Sequence, residues 1–224
     1  MFRLLIIMVM LSFLSVPTIN AAEIQILPED EAVSDLDLVA FREQLQKAVV
    51  QKDANAFMAL VAEDVAVKVK KTGGLKSFKK AWDPESESSE LWPVMNQILS
   101  MGGGFLRSER GVKFCAPYTF VDFPSHLDIY AHGIVIKDNV PFKATPSKYA
   151  RTLKNLSYNV VQVADWRSVG DQNDDKIRWL KVKTLAGEEG YVKKNVIRSP
   201  ADYSACFLHR SSTGWKLISL ISND

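Results

Sequence analysis

Cys115 and Cys206, with His126, His132 and His209, are the side chains of this 224-residue chain best suited to covalent chemistry. A cysteine hydrolase needs a thiolate nucleophile and an imidazole base within hydrogen-bond reach, so Cys115 with one of these histidines would be its machinery. The run Phe114-Cys115-Ala116-Pro117 reads as a strand interior, not as the helix N-terminus that lowers a thiol pKa. The other chemistry open to the cysteines is a disulfide. Pairing Cys115 with Cys206 would close a loop of about 90 residues, worth roughly 4 to 5 kcal/mol in the chain-entropy model. No metal site is expected, because the histidines lack i, i+2 or i, i+4 spacing and the cysteines form no C-x-x-C knuckle. Glu188-Glu189 and Asp174-Asp175 fall in turn-like segments, where solvated charge is the ordinary role. Neither a catalytic constellation nor a cofactor is therefore expected.

Binding chemistry is better represented. Tyr149, Tyr158, Trp166, Trp179 and Tyr191 crowd into one stretch and could line a shallow groove for a peptide or glycan, since aromatic anchors give large contact area at low entropy cost. Tyr149, Tyr158 and Trp166 read as surface residues, whereas Trp179 and Tyr191 could equally be structural. Gly102-Gly103-Gly104 invites a phosphate-loop reading, but a helix precedes it and a strand follows, so a helix C-cap and turn is the better account.

The elements that must position these residues begin after an export leader. Arg3, the apolar run Leu4 to Val16, Pro17 and the small residues Ala21 and Ala22 form a secretory signal of about 22 residues. That run is too short to span a bilayer, and no later run is long enough, so a chain that does not span the membrane and is periplasmic or secreted is expected. An even cysteine count behind such a leader favours the disulfide. The formal net charge of +2, lowered by one when Arg3 leaves with the leader, gives no case for nucleic-acid binding.

Residues 23–33 are acidic, contain Pro28 and read as a loosely held leader. Ser34 then caps an amphipathic helix through Leu38, Phe41, Leu45, Ala48 and Val49, and Asp53 caps a shorter one through Val61. Val65, Val67 and Val69 alternate as a strand, and Leu75, Phe78 and Trp82 mark a helix with a lysine face. Another helix runs from Leu91 to Met101, with Pro93 in its first turn. Phe41, Phe57, Phe78, Trp82 and Trp92 belong by spacing to the helical core. Phe105 to Arg107 and Val112 to Phe123 read as strands, with Pro117 marking an edge or a bulge in the second. Beyond Gly133, short β-branched runs separated by turn signals predict a small β-barrel. Tyr203 to Leu208 and Trp215 to Ile221 predict a final hairpin.

Ile134-Val135, Val140 to Phe142, Thr145-Pro146-Ser147, Leu153 to Leu156, Val160 to Val163, Trp179 to Val182, Gly190 to Val192 and Val196-Ile197 together resemble the bacterial SH3 (SH3b) domain. The family's "W-x-K-V" strand matches Trp179-Leu180-Lys181-Val182. Its closing "G-x-x-G-[WY]-V", followed by a short 3₁₀ turn, matches Gly187 and Gly190-Tyr191-Val192. Where the family has a glycine between strands, Asn159 is expected to take φ > 0, and Asp165 to Lys176 is expected to be an extended hairpin loop. Phe41 to Trp82 more loosely resembles the start of NTF2-like cones.

The expectation is an α+β protein: N-terminal helices with a small antiparallel sheet over 23–130, completed by 200–224, plus an SH3-like β-barrel over 131–199. What the SH3b resemblance implies is non-catalytic binding of cell-wall peptide or an envelope protein. The alternatives are a cell-envelope cysteine hydrolase using Cys115 and a secreted inhibitor or immunity-like protein.

Overall fold

The computed structural model describes residues 22–68, 71–108, 111–171 and 173–222. The expected signal segment before Ala22, Val69 at the end of one expected strand, and the expected turn at 109–110 lie outside the described residues.

The acidic stretch over 23–33, expected to be loosely held, is ordered. Ile24 and Ile26 alternate as a strand does: the Val160 N–H donates to the Ile24 carbonyl at 2.8 Å, and the Ile26 N–H to the Tyr158 carbonyl at 2.9 Å. Ile26 is 6 % exposed. Farther on, the Glu31 carboxylate accepts from the Phe105 N–H at 2.7 Å. Two apolar residues are too few to register as a periodic pattern, so the acidic composition dominated the expectation.

A 3₁₀ turn at Glu31–Ser34 leads into α1 (Leu36–Gln51). Its cap is Asp35, not Ser34: the Asp35 carboxylate accepts from the Leu38 N–H at 2.9 Å. Leu38, Phe41, Leu45, Ala48 and Val49 form the buried face, as spaced. Asp53 caps α2 (Ala54–Ala59), which ends before Val61 because that valine opens β1 (Val61–Lys68). There follow β2 (Lys71–Thr72), α3 (Gly74–Trp82), α4 (Leu91–Leu99), β3 (Gly104–Ser108) and β4 (Gly111–Ala116). Pro117 ends β4 and precedes the short α5 (Tyr118–Val121). The proline does not mark an edge, since β4 is flanked by β3 on one side and by a strand from the C-terminal tail on the other.

The middle of the chain supplies β5 (His132–Val135), β6 (Val140–Lys143), β7 (Thr152–Leu156), β8 (Val160–Val163), β9 (Val169–Asp171), β10 (Asp174–Thr184) and β11 (Glu189–Lys193). A 3₁₀ turn at Lys194–Val196 and β12 (Ile197–Arg198) complete it. The tail forms β13 (Ser204–Arg210) and β14 (Gly214–Ile221).

Two sheets result, and the fold is mixed α+β. The first has the order β2-β1-β14-β13-β4-β3, so the tail hairpin fills the centre of a sheet begun by the N-terminal half; β1 and β14 run parallel. The second has the order β12-β5-β8-β10-β11-β6-β7, with β9 on β10. No closed barrel is found: β12 and β7 end the path and do not pair. β12 has only two residues, too few to offer a second ladder, and Lys154 on the outer strand β7 is held by Glu23 and Glu188. The segment expected as an extended loop between Asp165 and Lys176 contains β9.

Each sheet has its own core. Phe41, Phe57, Trp92, Phe114 and Phe207 lie under the first, with Phe57 and Trp92 edge to face at 5.6 Å. Phe142, Val161, Leu180 and Val192 fill the second. A third cluster joins them, built from Ile26, Tyr118, Ile134 and Val160.

Candidate functional site

A cleft of about 440 Å³ opens beside this junction, lined by Tyr130, Trp166, Leu180, Lys194, Ile197, Ser199 and Asp202. Trp166 lies between β8 and β9, and its indole N–H donates to the Tyr130 carbonyl at 2.9 Å, which orients the ring. The ring packs directly on backbone. A Cβ added to Gly133 would lie 2.9 Å from Trp166 Cη2 and 2.8 Å from Ile197 Cδ1, so only glycine permits the approach. Leu180 comes from the middle of β10, Lys194 from the 3₁₀ turn after β11, and Ser199 and Asp202 from the turn leading to β13. The Ser199 hydroxyl accepts from the Ala201 N–H at 3.1 Å, and the Asp202 N–H donates to the Ser199 carbonyl, which shapes that turn. The result is an aromatic wall lined by Lys194 and Asp202, with the buried Arg198 guanidinium also facing Asp202. Such a surface can stack on a ligand and pair with its charged groups.

The five aromatics singled out in the sequence do not meet in one place. Trp166 lines the cleft. Trp179 is 1 % exposed and donates to Asp171 Oδ2 at 3.1 Å, so its ring belongs to the interior and presents no surface to a ligand. Tyr149 is exposed in the loop after β6, with Lys148 Nζ 5.3 Å from its ring centre. Tyr158 is half-buried and takes the positive φ, 58°, that had been expected of Asn159. The Asn159 side chain is engaged otherwise, accepting from the Ser157 N–H and donating to Glu23. Tyr191 is half-buried on β11, paired with Lys181 and Lys143. Sequence reasoning missed Tyr130, Lys194, Ser199 and Asp202. Lys194 directly follows β11, the strand that carries Gly190-Tyr191-Val192, and that adjacency was the available signal; Ser199 and Asp202 carry no periodic pattern that could have revealed them.

The cysteines are spoken for. Cys115 and Cys206 form a disulfide, and neither is free. His132 Nδ1 lies 2.9 Å from the Asp128 carbonyl, His209 packs on Trp215, and His126 is exposed. The adjacent carboxylates pair with lysines: Glu188 with Lys154, Glu189 with Lys181 at 2.7 Å, and Asp174 with Lys148 at 3.4 Å. Among the described residues no group of three His, Cys, Asp or Glu is placed to hold a metal ion. No helix among them is long and apolar enough to cross a membrane.

Two buried polar groups flank the junction. Burial pushes the Tyr118 phenol up to about 12, and its hydroxyl has no hydrogen-bond partner among the described residues. Arg198 is 4 % exposed and donates to the Tyr203 carbonyl at 2.6 Å; desolvation lowers its pKa. Asp171 behaves in the opposite sense to a simple buried acid. Burial raises its pKa, but the Asn173 and Lys148 backbone N–H groups and the Trp179 indole outweigh that and hold it below the usual carboxylate range.

Comparison with protein-family models, with curated proteins and with solved structures finds no match to this chain.

Proposed function

We propose that this chain is an exported, disulfide-containing protein that binds peptide through an SH3b-like module, with the Trp166 cleft as its binding site. Cell-wall peptide is the ligand class; an extended segment of an envelope protein offers the same backbone chemistry. The observation that carries the reading is the cleft itself, where Trp166 and Tyr130 supply an aromatic wall and Lys194 and Asp202 supply opposite charges suited to a peptide's own carboxylate and amine. Two further features support it. The Trp179 to Val182 run pairs with the Gly190 to Val192 run, with Leu180 opposite Val192 and Val182 opposite Gly190, and a 3₁₀ turn follows at Lys194–Val196. The leader composition and the disulfide fit an oxidising compartment.

The hydrolase alternative needs Cys115 as a thiolate, and in the oxidised protein its sulfur is bonded to Cys206. Isothermal titration with soluble cell-wall stem peptides tests the binding reading. Trp166→Ala is expected to weaken binding by about 30-fold, the usual effect of removing an aromatic anchor. Lys194→Ala, an exposed change that leaves folding intact, should weaken it by several fold. Unaltered affinity in both variants, or no binding by the wild type, would overturn the proposal.

A further inference from the structure

A second cleft lies on the first sheet, with Tyr203 in its lining next in sequence to Asp202 of the Trp166 site. Trp82 at the end of α3 and Tyr203 just before β13 meet edge to face, with ring centroids 5.0 Å apart and planes at 62°. Helical spacing assigned Trp82 to the core with Phe78, yet it is only half-buried, and Tyr203 is 40 % exposed. The two rings form one side of a cleft of about 460 Å³, whose other side is the 83–90 segment with Asp83, Ser86, Ser88 and Glu90. The Ser89 hydroxyl donates to the Trp82 carbonyl and holds that segment against the rings.

The lining of this cleft is acidic, although Lys79 and Lys80 stand in the last turn of α3 just before it. Asp83 and Glu90 are exposed, and among the described residues their carboxylates have no hydrogen bond or ion pair, in contrast to Glu85, which meets Lys79 at 3.7 Å. No basic residue is among those lining the cleft. Aromatic faces attract cations through their quadrupole, and two adjacent carboxylates add to that field. The edge of one ring closes off part of the other's face, which suits a narrow apolar stem with a charged head better than a flat ring.

We infer that the Trp82–Tyr203 corner binds the ammonium or guanidinium group of a lysine or arginine side chain in a peptide partner. The inference does not rest on the SH3b-like reading or on the Trp166 cleft. The test follows the indole N–H resonances of the intact oxidised protein by NMR, with Trp82 assigned through Trp82→Phe. The probes are the capped peptide Ac-Gly-Lys-Gly-NH2 and its uncharged counterpart with norleucine in place of lysine. Trp82 is expected to shift saturably with the lysine peptide, and added salt should weaken that binding. The double variant Asp83→Asn, Glu90→Gln should weaken it by about fivefold or more. In a Trp166→Ala background the Trp82 response should persist. Equal response to the norleucine peptide, indifference to the double variant, loss of the response in the Trp166→Ala background, a stronger response to N-acetylglucosamine, or no Trp82 shift at all would each overturn the inference.

Discussion

Cys115 and Cys206 lie directly opposite one another on β4 and β13, with Cα atoms 4.1 Å apart and a disulfide between them. Their separation of 91 positions spans the whole second sheet, so the bond fastens the returning tail to strands laid down before that sheet begins. The chain-entropy model assigns such a closure roughly 4 to 5 kcal/mol. Cys115→Ser and Cys206→Ser are expected to destabilise the protein to the same extent, by about 2 to 5 kcal/mol in urea titrations under non-reducing conditions. Unequal losses would indicate that one cysteine has a role besides the bond.

Ile24 and Ile26 stabilise the junction. Ile26 is buried in the third cluster, and its N–H is bonded to the Tyr158 carbonyl. Ile26→Ala should cost about 2 to 3 kcal/mol by loss of buried area and the cavity left behind. A urea midpoint equal to that of the wild type would show that the strap contributes nothing in solution.

Gly133 connects fold to site. An alanine there would press on Trp166 and Ile197, the two residues that meet at one wall of the cleft. Gly133→Ala is expected to cost about 1 to 3 kcal/mol and to shift the Trp166 indole resonance, because the overpacked ring must move. Retention of both stability and resonance position would contradict the packing described.

The pH dependence has two sides. The Tyr118 phenol, raised by burial from 10.0 to about 12, keeps its proton in the folded state while the unfolded chain releases it. The folded state therefore binds more protons in that window, and stability falls as pH rises from 10 to about 12. Tyr118→Phe, which removes a hydroxyl without a partner, should match the wild type at neutral pH and show a flatter alkaline decline. Asp171 acts at the acid end. Its folded pKa lies below the ordinary aspartate value, so its stabilisation is present above the unfolded pKa and is lost as pH falls through the lower folded value. Asp171→Asn should lower the urea midpoint at neutral pH, with the difference from the wild type shrinking in acid. Constant differences across pH would exclude these linkages.

Much of the scaffold was legible because its residues act locally. Asp53 caps α2 through one side-chain bond, and α1 buries the five residues its spacing singles out. The errors arose where a long-range partner decided the outcome. Ile24 and Ile26 are ordered by Val160 and Tyr158, more than a hundred positions away, and the second sheet stays open with β12 and β7 unpaired at its two ends. The cleft was legible only through Trp166. Ser199 and Asp202 reach it because the chain turns there toward β13, a route no local pattern of residue types records.

Binding of peptide in the Trp166 cleft is tested most directly by titrating the oxidised protein with a soluble cell-wall stem peptide while following indole resonances and the mass of the peptide. The Trp166 resonance should shift saturably, since its N–H already reports on the Tyr130 carbonyl, and the peptide should be recovered intact. A peptide that binds without moving the Trp166 resonance, or one that is cleaved in a manner abolished by Cys115→Ser alone, would contradict that role.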